Sequence, residues 1–308
     1  MAASPLSVAC VGLGRIGSGI AQSIQRTGHR LIVYNRTAEK TASFVASGAT
    51  AASTPREAAA QADIVLTCLM DDDSVRQNLL GAEGILAGMR PGAIHIGTST
   101  VTPVAAAEFA NLHATHGSHY VTATFAGHPE HAAAGKLITF VSGDPKILER
   151  SRPVLEAYSG KLIVVGDDPV LAASFKLAVN FFLACLLEAI GEALVFGEAQ
   201  GLNLETLGTM LKDLLQHPAI PKYLDKIRAG NFDQVLSSTL NGVGSKDVRL
   251  ILQTAAESRV PLAFGSVVQD KIIAAQAHGW GECDWSVLTE ISRVEAGRKR
   301  PFDRATTA

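Results

Sequence analysis

The chain has 308 residues, long enough for two domains and a large core. Its 27 basic and 29 acidic residues nearly cancel, which removes a general electrostatic case for nucleic acid or an anionic membrane as partner. The four cysteines, Cys10, Cys68, Cys185 and Cys283, are scattered without a Cys-x-x-Cys pair, which argues against a disulfide scaffold and predicts a reducing, cytoplasmic location.

The N-terminus carries no basic segment ahead of a separate apolar run, so no signal peptide is expected. Its first apolar stretch, 6–12, reads as a strand and runs into Gly12-Leu13-Gly14-Arg15-Ile16-Gly17. A helical segment follows, then a second strand at 30–35 that ends on Asn35-Arg36-Thr37. Gly-x-Gly-x-x-Gly alone is a weak signal, but between a buried strand and a helix it outlines a dinucleotide site. Gly12 permits the tight turn, Gly14 lets backbone amides approach a pyrophosphate, and Gly17 lets the helix pack closely. The helix N-terminus then faces the phosphate charge. An NAD site usually places Asp or Glu at the end of the second strand, where it binds the ribose hydroxyls. A carboxylate would repel a 2′-phosphate, whereas Arg36 can pair with one and Asn35 and Thr37 can add hydrogen bonds. NADP(H) is therefore expected over NAD(H); the competing reading of Arg36 is a solvated loop arginine.

Further strands are predicted at 63–69, 93–97, 120–124, 137–142 and 162–165, alternating with helical segments, which implies a parallel-rich α/β sheet. After Asp167-Asp168-Pro169 the strand signal stops and helical periodicity continues to about 296. The expected architecture is an α/β Rossmann-type N-terminal domain, 1–166, plus an all-α C-terminal domain, 167–308, joined by a long interdomain helix over 171–201. A substrate cleft between the halves is the natural expectation, beyond the strand C-termini. The longest apolar run, 181–196, contains Glu188 and Glu192 and reads as too short and too charged to span a bilayer.

Lys176 and Asn180 lie four apart on that helix and share a face amid Phe175, Leu177, Phe181 and Phe182. A lysine so placed either snorkels outward or sits in a cleft, where desolvation lowers its pKa toward a value useful for proton transfer. Lys246-Asp247 stands at the mouth of a further helix and on its own reads as capping. Glu188 and Glu192 read as a wet stripe or an interface contact rather than paired catalytic carboxylates. His113, His116 and His119 have metal-like spacing, but Gly117 interrupts the helix that would align them, and no metal is expected. Neither a Gly-x-Ser-x-Gly elbow nor a Walker loop occurs.

Taken together, the motifs resemble the β-hydroxyacid dehydrogenase family over nearly the whole chain. The resemblance rests on 12–17, on Asn35-Arg36-Thr37, on Ser99-Thr100-Val101-Thr102-Pro103, and on the loop from Gly127 to Leu137. Lys176 with Asn180, Lys246-Asp247 and Asp284-Trp285-Ser286 complete it. It implies that Lys176 is the catalytic lysine and that Asn180 helps it hold substrate. Lys246 is similar to the lysine near the nicotinamide end of the cofactor, and Thr100 to a threonine lining the same pocket. The implied cofactor contacts are Gly12, Gly14, Arg15, Ile16, Gly17, Asn35, Arg36, Thr37, Leu69, Met70, Thr100 and Lys246. The substrate loop departs from the family's Asp-Ala-Pro-Val-Ser-Gly-Gly. Here it reads Thr122-Ala123-Thr124-Phe125-Ala126-Gly127-His128, so the substrate contacts Ala126, Gly127 and His128 lack the serine hydroxyl and gain an imidazole. That implies a substrate that is different, larger or less acidic.

The expected activity is NADP(H)-dependent reduction of a small aldehyde or keto acid, or oxidation of the matching hydroxy acid. Imine reductases and reductive aminases are similar over the same length but generally carry Asp or Tyr at the position of Lys176. 6-Phosphogluconate dehydrogenase has a larger helical domain than this chain can supply. A dinucleotide-binding protein without turnover is the rival from another class. The family resemblance also implies two or four identical subunits, with a small-molecule substrate as the other partner.

Overall fold

The structure is a computed structural model that describes residues 5–298. Its N-terminal part is built on one eight-stranded sheet: β1 (Ser7–Val11), β2 (Arg30–Tyr34), β3 (Thr50–Ala51), β4 (Ile64–Thr67), β5 (Ile94–Gly97), β6 (His119–Ala126), β7 (Leu137–Ser142) and β8 (Ser159–Gly166). The strand order is β3-β2-β1-β4-β5-β6-β7-β8, with every pair parallel except β6 and β7. Helices cover both faces, which is why the central strands read as unbroken apolar runs such as Ile64-Val-Leu-Thr67. Ile20, Ile24, Leu155 and Tyr158 pack on one face. Leu79, Ile85 and Phe109 pack on the other.

Seven strands lie where the apolar runs predict them, with shifted ends. The unpredicted strand is β3, whose two exposed residues carry no periodicity. β6 continues through Phe125 and Ala126, which pair with Thr139 and Ile138. β8 begins three residues early, at Ser159, because pairing with β7 holds a Ser-Gly-Lys segment that has no intrinsic strand preference. β1 pairs with β2 on one side and β4 on the other, so the crossovers reverse direction at β1. The crevice beyond the carboxyl ends of β1 and β4 is the natural ligand position of such a sheet.

The chain divides into two compact units, Met1–Phe181 and Phe182–Ala308. The division falls inside a 30-residue helix, Val170–Ala199, called the long helix below. After Gly166 the described residues form helices, with one isolated bridge between Thr239 and Asp284. The second unit packs around Phe232, Leu240, Ile272, Trp280, Val287 and Ile291. Asp284 organises it: the buried carboxylate accepts from the Leu236 amide at 2.7 Å, the Ser286 amide at 3.1 Å and the Ser286 hydroxyl at 2.6 Å. Glu192 is neither part of a wet stripe nor paired with Glu188. Its carboxylate accepts the Phe264 amide at 2.9 and 3.1 Å, satisfying a donor at the start of the helix Ala263–Ala277.

By length and composition alone the long helix could cross a membrane. The run 181–196, read from sequence as too short and too charged to span a bilayer, lies inside this longer helix. Phe181, Phe182 and Leu187 are exposed on it by 72%, 66% and 61%.

Candidate active site

Gly12 follows β1 with φ at +98°, in the region that favours glycine. A Cβ there would lie 2.5 Å from the Cys68 carbonyl oxygen. Gly17 is constrained by close approach instead: a Cβ would stand 2.1 Å from the Gly12 carbonyl oxygen. Gly14 is the N-cap of the first helix, Arg15–Arg26, where a Cβ would meet no atom within 4 Å and no side chain caps the terminus. The uncapped first turn beside this open space offers the amide donors and the positive dipole end that a pyrophosphate needs. Arg15 is exposed and Ile16 half-buried on the same turn.

A cleft of about 630 Å³ opens beside Gly12. Asn35, Arg36, Thr37 and Lys40 line one part of it, and Leu69 and Met70 another. Asn35 makes two hydrogen bonds within the protein. Its Oδ1 accepts the Leu13 amide at 2.9 Å and its Nδ2 donates to the Thr37 carbonyl at 2.9 Å, so it ties the glycine loop to the 35–37 turn. Arg36 and Lys40 are exposed, and among the described residues neither forms an ion pair. The acidic group in the lining, Glu83, has Arg56 beside it at 3.8 Å. Two exposed cations thus face this part of the cleft lining.

The segment after β5 anchors the cleft wall. The Ser99 hydroxyl accepts the Leu69 amide at 2.8 Å, and the Thr98 hydroxyl donates to the Thr67 carbonyl at 2.8 Å. Thr102 donates to Asp72 at 2.6 Å and accepts from Ala105 N at 3.1 Å, capping the helix Pro103–His116. Thr100, between Ser99 and Thr102, is exposed. Met70 is exposed by 83%.

β6 ends in Ala126, which is half-buried, and Gly127 follows with φ at +139°. The exposed His128 donates its amide to His131 Nδ1 at 3.1 Å, and the two rings sit 5.7 Å apart. On the long helix Lys176 is half-buried and Asn180, one turn later, is exposed. Burial of the Lys176 stem lowers its pKa below the ordinary lysine value. In the second unit Lys246 lies 3.2 Å from Asp247 at the start of the helix Ser245–Glu257. The π-helical turn Leu240–Gly244 leads into it, and a Cβ at Gly244 would stand 2.9 Å from Trp285 Cβ.

Residues 7–166 match the family described as the NAD binding domain of 6-phosphogluconate dehydrogenase. Residues 172–291 match that described as NAD-binding of NADP-dependent 3-hydroxyisobutyrate dehydrogenase. The chain belongs to the β-hydroxyacid dehydrogenase family. It is 32% identical to the uncharacterized oxidoreductase YfjR of Bacillus subtilis strain 168, over 92% of this chain and 98% of that protein. It is 28% identical to the 3-sulfolactaldehyde reductase of Escherichia coli strain K12, over 94% and 97% of the two chains. The fold is shared with the imine reductase of Myxococcus stipitatus solved with NADP+, at a TM-score of 0.83 and 24% identity over 93% and 99% of the chains. A variant of that enzyme is solved with NAD+. A nicotinamide-dinucleotide-dependent oxidoreductase is therefore the coarse function of this family member.

Three roles are not announced by the sequence, two beside the cleft and one in the core. Lys40 lies four residues after Arg36 on a 3-10 turn, Ala38–Thr41, and that spacing was the available signal. Ser99 was seen only within a motif, and nothing in its spacing announces the bond to Leu69. His95 lies inside β5 and joins a buried chain: Thr67 Oγ1 to His95 Nε2 at 2.9 Å, His95 Nδ1 to His113 Nε2 at 2.8 Å, and His113 Nδ1 to Ser118 Oγ at 2.8 Å. His113 thus belongs to this internal chain, while Gly117 ends the helix in the left-handed conformation at φ +76°.

Proposed function

We propose that this protein is an NADPH-dependent reductase of a small aldehyde or ketone, with Lys176 as the acid and base and Asn180 as its partner in holding substrate. The observation that carries this reading is the pairing, one helical turn apart, of a half-buried lysine and an exposed asparagine on an otherwise apolar helix segment. The bound nicotinamide supplies or accepts a hydride. As ammonium, Lys176 donates a proton to the carbonyl oxygen as negative charge develops there; as neutral amine it takes the proton back in the oxidation. Desolvation brings both forms closer to neutral pH. The Asn180 amide can donate to the same oxygen and accept from a substrate hydroxyl.

Preference for NADP(H) is supported by Arg36 and Lys40 in one lining, with the Thr37 hydroxyl between them in sequence. Thr100 and Lys246 are proposed at the nicotinamide end, and Gly127 and His128 at the substrate. Ala126 offers no hydroxyl to a carboxylate, which favours substrates that do not rely on one; the sulfonate-bearing 3-sulfolactaldehyde is a candidate on the strength of the similar reductase. The same missing hydroxyl favours a second reading, reduction of an imine. The exposed apolar face of the long helix supports assembly of two or four copies of the chain, which light scattering would detect. A cytoplasmic location is supported by four scattered cysteines that form no disulfide.

The test is NADPH consumption with succinic semialdehyde, glyoxylate, 3-sulfolactaldehyde and a cyclic imine, repeated with NADH. The proposal expects turnover of an oxo compound with NADPH preferred, and a loss of about 10²–10⁴ in rate for Lys176→Ala with NADPH binding retained. Turnover of the imine alone selects the second reading. NADPH binding with no turnover would leave a dinucleotide-binding protein, and wild-type turnover by Lys176→Ala would remove the lysine from the mechanism.

A further inference from the structure

We propose that Thr124 on β6 and Ser142 on β7 are positioning residues that set the placement of Lys176 by holding the first turn of the long helix. The inference rests on Lys176 being the acid. β6 and β7 are antiparallel, with Thr122 opposite Ser142 and Thr124 opposite Phe140. Thr124, Phe140 and Ser142 therefore share one face of this strand pair. All three make contact with the start of the long helix.

The Thr124 hydroxyl donates to the Ala172 carbonyl at 3.0 Å. The Ser142 hydroxyl accepts the Ala172 amide at 3.0 Å and donates to the Pro169 carbonyl at 3.1 Å. Thr124, Ser142 and Ala172 are all fully buried. One residue of the helix is thus gripped at both its amide and its carbonyl, by side chains from two different strands. Phe140 adds a ring contact to Phe175 at 4.8 Å between centroids.

Ala172 is four residues before Lys176, so the carbonyl that Thr124 engages is the helical partner of the Lys176 amide. The grip at Ala172 fixes where the helix begins along its axis. The Phe140 contact one residue before Lys176 fixes its rotation. Asp168 caps the Val170 amide at 3.0 Å, which starts the helix but does not attach it to the sheet. The attachment comes from the two hydroxyls.

Thr124→Val keeps the shape and strand preference of the side chain and removes the donor. Thr124→Ser keeps the donor. The measurement is kcat, KM for NADPH and the pH profile of kcat with succinic semialdehyde, or with whichever assayed oxo compound turns over best. A shift of about 1 Å in an acid group can lower a rate on the order of 100-fold. The expected result for Thr124→Val is a fall in kcat of about tenfold or more, KM for NADPH within about twofold of wild type, and a basic limb moved to higher pH as the lysine becomes better solvated. Thr124→Ser should restore both. In a Lys176→Ala background, Thr124→Val should lower the residual rate no further, because the residue it acts through is gone.

Ser142→Ala is the second variant and carries the test if Thr124→Val folds poorly, with the melting temperature and NADPH binding as folding checks. If Lys176→Ala is inactive but both hydroxyl variants keep the wild-type kcat and pH profile, the positioning role is wrong and the lysine reading stands. If the hydroxyl variants lose kcat with an unmoved basic limb, or equally in the Lys176→Ala background, the hydroxyls are structural only and the proposal fails. Wild-type turnover by Lys176→Ala overturns the lysine reading and this inference together.

Discussion

Replacing His113 by Gln should flatten the acid side of the stability profile. At the 2.8 Å contact between His95 Nδ1 and His113 Nε2, one nitrogen must carry the proton and the other must accept it. Both rings are fully buried, and a second proton would place two N–H groups against each other. Burial first, then the neighbouring imidazoles, holds the His113 pKa down to about 3, and His95 is lowered for the same reasons. In the unfolded chain a histidine titrates near 6.5. The unfolded state therefore binds more protons between these values, and stability rises with pH through that window. Above pH 6.5 the buried neutral rings carry no penalty; below it, His113 removes roughly 1.4 kcal/mol per pH unit, or about 2 kcal/mol by pH 5. His95 acts in the same direction. Urea unfolding of wild type and His113→Gln, followed by circular dichroism from pH 7.5 to 5, measures the two slopes. The variant is expected to be less stable at pH 7.5 by about 1–3 kcal/mol, from the lost bonds, yet to have a shallower slope. Equal slopes would show that His113 is not held neutral and would refute the reasoning.

Gly17→Ala places a Cβ against the Gly12 carbonyl oxygen, where backbone must give way; dinucleotide affinity should fall at least about tenfold and the melting temperature with it, as overpacking typically costs 1–3 kcal/mol. Arg36→Ala and Lys40→Ala should each raise KM for NADPH about tenfold or more and leave KM for NADH within about twofold, since a charge-assisted hydrogen bond contributes roughly 1.5–3 kcal/mol; an equal change for both cofactors would remove these residues from 2′-phosphate recognition. Asp284→Ala leaves two amides and a hydroxyl without their acceptor in the second unit and should destabilise it by roughly 3 kcal/mol, read as a lower unfolding midpoint in urea.

The sheet was legible wherever a strand is buried on both faces. Val8 to Val11 and Ile64 to Leu66 are nearly inaccessible, and only an unbroken apolar run can occupy such a position. β3 was not legible because its two residues are held by β2 through pairing, not by their own pattern. The start of β8 and the end of β6 have the same cause. The helical half was legible as a class, but Glu192 was not. Its cap on Phe264 joins positions 72 residues apart, and no spacing rule reaches that far.

The site divides along the same line. Gly12, Gly14 and Gly17 were readable because their chemistry is an absent side chain, and absence has a local meaning at a strand-to-helix turn. Asn35 shows the limit of that reasoning. Its place at the end of β2 suggested a hydrogen bond to cofactor; the structure adds one bond at each end of the amide, and these hold two loops together in a way no spacing announces. Arg36 and Lys40, by contrast, are exposed and form no ion pair among the described residues. For Lys176 the sequence shows a cation among apolar neighbours, while the structure shows where its helix is held, one turn earlier at Ala172. A hydroxyl in a strand is indistinguishable, by pattern, from one that merely fills a buried face. Thr124 and Ser142 gain meaning only when β6 and β7 are seen to close on the same residue, Ala172, at its carbonyl and its amide.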